Sequence, residues 1–265
     1  MSDLVNRIVA NCLRLEVKLL ACQARLEAQT DPEALHDLRT TVRRLRSLLR
    51  PLRGLPGVVQ LEMSASQVGV LTTPLRDLEV LAAHLEQQGH PTLAKRRLTQ
   101  LAGSYPRVAA STELSQLLMI LEAFPRFLRA SERERLLRGL RQRIEAILAK
   151  QWQALHKALK DPAHDRHKVR LLIKRVRYGA EAYPELDRVP KAVMKHLKDA
   201  QKALGEWHDA WQWLAQAEQQ PDLQPCVEQW RATLARGEKR ADRVLAKLRQ
   251  LSTGRHPRIT AGQLC

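Results

Sequence analysis

Residues 35–52 read LHDLRTTVRRLRSLLRPL, and the placing of two kinds of side chain along them decides the fold. At about 100° per residue, with His36 as zero, His36, Arg39, Arg43, Arg46 and Arg50 fall within an arc of roughly 80°. Leu35, Leu38, Val42, Leu45 and Leu49 fill the adjoining arc. An apolar stripe of that width seats a helix on a core. The basic ladder therefore runs beside the core-facing stripe and not on the far, solvated face. Arg44 falls on the other side of the helix and reads as an ordinary surface charge.

The pattern returns further along the chain. His36-x-Leu38-Arg39-x3-Arg43-Arg44-Leu45-Arg46 recurs as His167-x-Val169-Arg170-x3-Lys174-Arg175-Val176-Arg177, 131 residues later (167 − 36). His167, Arg170, Lys174 and Arg177 again share one arc, Val169, Ile173, Val176 and Ala180 the next, and Arg175 lies off both. Breakers such as Asp31-Pro32, Leu55-Pro56-Gly57 and Gly89-His90-Pro91 predict helices near 3–29, 33–53, 58–87, 92–102 and 112–129. A second series follows near 132–160, 165–183, 189–219 and 223–251, with a polar tail from Ser252. Pro74-Leu75-Arg76-Asp77-Leu78 in the third helix has a looser echo in Gly205-Glu206-Trp207-His208-Asp209. With only 11 glycines and a preponderance of Ala, Leu, Arg, Gln, Glu and Lys, the whole chain favours helix and shows no strand pattern. Short links between long amphipathic helices favour antiparallel neighbours. The expectation is an all-α protein, duplicated into two pseudo-symmetric helical bundles whose second helices can face one another.

Apolar residues make up 44% of the chain, enough to fold, while 45 Lys and Arg against 28 Asp and Glu leave a net charge of +17. Such a field draws anions without choosing among nucleic acid, an anionic membrane and polyphosphate, so placement must discriminate. The opening MSDLVNRIVANCLRLEVKLL scatters charges among its apolar residues, and no span of about 18 apolar residues occurs, so neither secretion signal nor membrane anchor is expected. Cys12, Cys22, Cys226 and Cys265 lack metal-type spacing, and Cys12 and Cys22 stand roughly 15 Å apart on one helix, too far for a bridge. A reducing cytoplasm is the default expectation.

Arg7, Arg14, Lys18 and Arg25 form a further stripe near the helical period, as do Lys191, Lys195, Lys198 and Lys202. Together the stripes can line a groove or channel. The first ladder spans roughly 21 Å of helix axis, far more than one phosphate needs, so an extended anion fits it. Arginine's fork bonds two phosphate oxygens at once, lysine adds a mobile point charge, and a histidine beside a bound anion has its protonated form favoured. The competing reading is that these side chains snorkel over the core and pair with acids of a neighbouring helix. Four stripes of one sign hold few acids, however, and like charges on successive turns repel, which a polyanion would relieve. Asp77 and Asp209 are the expected internal partners, orienting arginines.

Nucleic acid is the alternative ligand, since any phosphate chain satisfies basic stripes. Aromatics are only 4% of the chain, and Trp207, Trp211 and Trp213 read as core or bundle interface, which leaves no stacking platform for single strands. Catalysis is not expected. Asp37 lies about 100° around the helix from His36, the ladder would repel a metal cation, and there is no Gly-rich phosphate loop, Cys-x-x-Cys or nucleophile–base spacing. No metal and no cofactor are implied.

The pairing of 35–52 with RHKVRLLIKRVRYGAEAY (166–183), together with LRDLEVL (75–81) and LGEWHDAWQWL (204–214), resembles the CHAD family, the conserved histidine α-helical domain. The resemblance implies one CHAD domain of two antiparallel four-helix bundles with internal symmetry, here over 1–252 with repeats at 1–130 and 131–252 and a polar tail at 253–265. It also implies a central basic pore or groove, binding of inorganic polyphosphate, and placement on polyphosphate or polyhydroxyalkanoate granules. By matching positions, His36, Arg39, Arg43, Arg46, His167, Arg170, Lys174 and Arg177 would be ligand residues. The stripes extend that set to Arg50, Lys195, Lys198, Lys202, Arg14 and Lys18. This chain departs from symmetry where Glu181 takes the rung that Arg50 holds, and where Val59, Met63, Ser66 and Val70 stand in place of the third-helix lysines. The ligand is therefore expected to run more along 191–202 than along 59–70, with Arg7, Arg14, Lys18 and Arg25 compensating.

Overall fold

The computed structural model describes residues 2–161 and 163–252; the tail at 253–265, with Cys265, lies outside the described residues. Ten α-helices follow in order: α1 Asp3–Ala28, α2 Ala34–Leu49, α3 Val58–Gln87, α4 Pro91–Gln100, α5 Ser104–Ala109, α6 Thr112–Arg133, α7 Leu140–Lys160, α8 Arg166–Ala182, α9 Lys191–Gln219 and α10 Val227–Ser252. Two 3-10 turns, Arg50–Leu52 and Pro221–Cys226, complete the described residues, which hold no strand beyond one isolated bridge between Arg53 and Leu55. The expectation of an all-α chain holds. None of the described helices is long and apolar enough to cross a membrane.

Several boundaries differ from the sequence expectation, each for a local reason. α2 stops at Leu49 instead of 53 because Pro51 has no N–H for the ladder and its ring crowds the preceding turn, so the chain tightens into a 3-10 turn. The stretch expected to be one helix from 132 is instead the end of α6, a turn, and α7. Arg135 and Gly139 carry that turn with φ of 58° and 71°, the left-handed region that ends helices. α5, short and proline-bearing, has no counterpart in the expectation, and the Pro221–Cys226 turn stands where the helix near 223–251 is expected to begin.

The chain divides into two compact units between Ile147 and Leu148, within α7. In the first, α1 packs on α2, α2 on α3, α3 on α6 and α6 on α1, closing a ring of four helices, with α4 laid on α3 and α5 on α1. Leu35, Leu38, Val42, Leu45 and Leu49 of α2 are all buried in its core, as the periodicity requires. Each such side chain contributes about 1.5–3 kcal/mol on burial, so the face that carries the ladder's neighbours is firmly seated. In the second unit Leu155, Ile173, Leu204 and Leu245 bring α7, α8, α9 and α10 to one core. Ser2 caps α1 by accepting from the Val5 amide, and Asp165 caps α8 by accepting from the His167 amide at 2.8 Å. That cap sets His167 in the first turn of its helix.

Candidate anion-binding site

The first ladder is where the periodicity places it. His36 is exposed, while Arg39, Arg43, Arg46 and Arg50 are half-buried beside the core stripe and Arg44 points to solvent. Arg39 is held by α3 through neutral oxygens: its Nη1 donates to Gly69 O at 3.2 Å, Thr72 Oγ1 at 2.9 Å and Thr73 Oγ1 at 3.1 Å. Burial works against its charge, Arg43 adds to that pressure, and Asp77 opposes it. A guanidinium stays charged through such shifts, so the result is a fixed, weakly compensated cation. Arg46 has its Nε buried without an acceptor among the described residues, and its Nη1 lies over Gly69, 3.8 Å from where a Cβ there would sit. At the other end of the ladder, Glu62 is exposed to the charges of Arg53, Arg50 and Arg46. Burial pushes its carboxyl up, but those arginines outweigh it and hold the pKa below the usual range.

Sequence reasoning found Asp77 as an acid acting on this ladder, and missed Glu62, Thr72 and Thr73. Thr72 and Thr73 are legible only as ordinary helix residues; their role depends on how α2 lies along α3. Arg76, one residue before Asp77, is directed elsewhere. It donates to Glu79 Oε2 at 2.8 Å while Tyr105 donates to Glu79 Oε1 at 2.7 Å, which secures a buried carboxylate.

Two members of the expected α1 stripe pair with acids. Arg25 donates to both oxygens of Asp31 at 2.8 Å and to Asp37 at 2.8 Å, clamping the α1–α2 turn. Arg7 donates to Asp3 at 2.5 Å. Arg14 and Lys18 are exposed, and Arg14 donates to Asn11 Oδ1 at 3.0 Å. The expectation that the stripes meet few acids therefore needs correcting for Arg7 and Arg25, because Asp3 and Asp31 sit four and six residues away, within the reach of one side chain.

On α8, His167 is exposed and Arg170, Lys174 and Arg177 are half-buried. Arg177 is enclosed, at 12% side-chain exposure. It donates to Gln201 Oε1 at 2.8 Å and Glu181 Oε1 at 2.7 Å, and its guanidinium lies 4.0 Å from the centre of the Tyr178 ring. Lys191, Lys195, Lys198 and Lys202 are exposed along α9. Buried positions of α3 and α9 match 132 apart, as in Ala65/Leu197, Val68/Ala200, Leu81/Trp213 and Leu85/Ala217, which sets Asp209 against Asp77 and His208 against Arg76.

His208 is the residue the sequence did not single out as a site. It is 8% exposed, its ring centre lies 5.1 Å from that of His167, and it stacks on Trp211 at 5.8 Å and 15°. Burial, then Arg170, His167 and Lys174, push its pKa down to about 4, so the ring is neutral. Its one textual cue is the i, i+4 step from the buried Leu204, which marks it as inward-facing. The tryptophans divide: Trp213 packs on Trp230 in the core, whereas Trp211 is 53% exposed and so is not a core residue of its unit. The amphipathic period turns one side of Trp211 outward, while it stacks on His208. Among the described residues no cluster of three or more His, Cys, Asp or Glu is placed to hold a metal.

These features define a class, an all-helical chain carrying basic ladders at the margins of its cores. The comparisons say which member of that class it is: residues 12–218 match the CHAD domain family, and the chain belongs to it. The fold is similar to that in the crystal structure of the CHAD domain from the plant Ricinus communis. The TM-score is 0.72 and the identity 22%, over 96% of this chain and 93% of that one, a likeness of fold alone. A search of curated proteins finds no match.

Proposed function

We propose that the chain binds inorganic polyphosphate, without catalysis and without metal or cofactor, along the basic ladders of α2, α8 and α9. The observation that carries this reading is the state of Arg39 and Arg46. Both are half-buried; Arg39 is anchored by neutral oxygens, and Arg46 leaves a buried Nε–H with no acceptor on the chain among the described residues. Fixed cations with spare donors at the edge of a core are a costly arrangement for a free protein, and an arriving phosphate oxygen offsets that cost. Membership of the CHAD family and the length of the ladder support a long phosphate chain over a single anion.

In this reading His36, Arg39, Arg43, Arg46 and Arg50 contact the ligand in the first unit, and His167, Arg170, Lys174 and Arg177 in the second. Lys195, Lys198, Lys202, Arg14 and Lys18 extend the contact. Arg177 is the weakest of these, since Glu181 and Gln201 already occupy its donors. The domain extends over 1–252 as two related four-helix repeats, and the protein resides in the cytoplasm on polyphosphate or polyhydroxyalkanoate granules. Nucleic acid is a second reading, favoured by one observation, the exposed face area of Trp211 next to His208. A single tryptophan does not make a track on which successive bases stack. Competition calorimetry decides: long-chain polyphosphate titrated into the protein should bind tightly with excess duplex DNA and single-stranded RNA present. Displacement of polyphosphate by either nucleic acid would overturn the reading.

A further inference from the structure

We propose that His208, packed behind the second ladder, makes anion binding by that unit proton-linked: a polyanion seated on His167, Arg170 and Lys174 draws a proton from solvent onto the His208 ring. The proposal rests on the polyphosphate reading and adds to it a regulation by pH.

The geometry supplies both halves of the device. The ring is nine-tenths buried, and its Nδ1 has no hydrogen-bond partner among the described residues, so this nitrogen is open to take a proton and then to donate it to an acceptor. It lies between Trp211, on which it stacks, and the ring of His167, 5.1 Å away on α8. With no anion present every charge that reaches it from α8 is positive, from Arg170, His167 and Lys174, and these with burial keep it neutral. On α9 its near neighbours are Glu206, taken by Arg240 of α10 at 2.6 Å, and Asp209. α10 also carries Glu238 and Asp242, both held by Arg166 at the head of α8, and the cations Arg236, Lys239 and Arg243, which add to the positive field. The Pro221–Cys226 turn meets α9 where Gln224 donates to Ala217 O, roughly two and a half turns beyond His208, and brings Asp222.

A bound phosphate chain reverses the sign of this field. It cancels Arg170, Lys174 and His167 and places negative charge beside a ring with an unused nitrogen, which favours the imidazolium. Neutral His208 plus one proton gives His208 with both nitrogens protonated, and no other bond changes. Because the proton is bound in the complex and not in the unliganded protein, affinity rises as pH falls, by the linkage between binding and protonation. His208 acts through the ladder residues, as a positioning and proton-accepting group behind them.

The test is calorimetry with long-chain polyphosphate at about pH 5.5, between the low value in the unliganded protein and the ordinary histidine range, in two buffers of different ionisation enthalpy. The expected result is proton uptake on binding that falls by close to one proton per chain in His208→Gln. Between about pH 7.5 and 5.5 the wild-type affinity should rise several-fold more than the variant's. Equal proton uptake by the two proteins overturns the proposal. A variant that fails to fold leaves a second measurement on the wild type, the ring NMR signals of His208, which should move to the imidazolium position when polyphosphate is added at that pH. Signals that stay neutral overturn it equally. Absence of any polyphosphate binding by the wild type would instead remove the binding reading, and this proposal with it.

Discussion

In the first unit the ladder on α2 is steadied at Arg39 by uncharged groups, Gly69 O, Thr72 and Thr73, while Asp77 and Glu79 weigh against the charge of Arg39 and Glu62 lies under the charges of Arg50 and Arg46. In the second, the ladder on α8 is shortened at one end, where Glu181 and Gln201 take up Arg177, and altered at the other, where the neutral ring of His208 backs His167 and Arg170. Two segments written in nearly the same letters thus differ in what stands behind the letters. The contrast teaches that a basic rung is a candidate ligand only to the extent that its donors are unspent, and that the neighbouring helix decides this. The same contrast runs along the third helices, where Lys191, Lys195, Lys198 and Lys202 of α9 face solvent at positions that on α3 are Val59, Met63, Ser66 and Val70.

The largest effect should come from the middle rungs of the α2 ladder. Replacing Arg39, Arg43 and Arg46 together by alanine should weaken polyphosphate binding about 100-fold or more by calorimetry at fixed salt, since each charge-assisted contact contributes on the order of 1 kcal/mol or above. Arg44→Ala, on the solvent side, should cost less than about twofold by the same scale. Comparable losses would erase the distinction between ladder and surface.

A second test concerns acid stability. His208 is held near 4 in the folded chain against an ordinary value of 6.5, so the unfolded chain binds its proton first as pH falls. Stability from this group is therefore complete above about pH 6.5 and drains away down to about pH 4, a change on the order of 3 kcal/mol. His208→Gln should flatten that part of the stability profile in urea unfolding followed by circular dichroism. An unchanged slope would show that the ring is not held neutral.

Smaller effects separate the two ladders' far ends. Arg177→Ala should lower stability by about 1–2 kcal/mol, through the lost bonds to Gln201 and Glu181, while leaving polyphosphate affinity within about threefold. Lys174→Ala should do the reverse, and equal affinity losses would mean that Glu181 gives way to the ligand. Least of all, Arg25→Ala should lower the melting temperature by a few degrees by breaking the clamp on Asp31 and Asp37, with affinity nearly unchanged. A marked loss of affinity would restore Arg25 to the α1 stripe.

Much of this architecture is legible in the text of the chain. The period of leucines in 35–52, its repetition in 166–183 and the scarcity of glycine suffice for helices, and both ladders sit on the faces that the period assigns. Helix ends were less legible where a short cue was outweighed, as at Pro51, Arg135 and Gly139, because a turn of a few residues carries little periodicity of its own. Within the site, Arg39 and Arg46 could be named from the sequence, but Thr72, Thr73, Glu62 and His208 could not. Each lies on a different helix from the residue it affects, and nothing in a single helix's pattern says which neighbour's turn will lie against it.

By itself, then, the sequence determined that the chain is helical, that it is written twice, that it carries a large positive charge, and which face of each helix bears it. Those properties follow from local spacing and composition, which need no partner to act. Only the tertiary structure decided which cations remain unspent, which acids reach Arg25 and Arg177, and that a neutral histidine is enclosed behind the second ladder. Pairing, burial and the resulting protonation all depend on distances between helices, and a distance of a few ångströms across a packed seam is not encoded in any one helix's period.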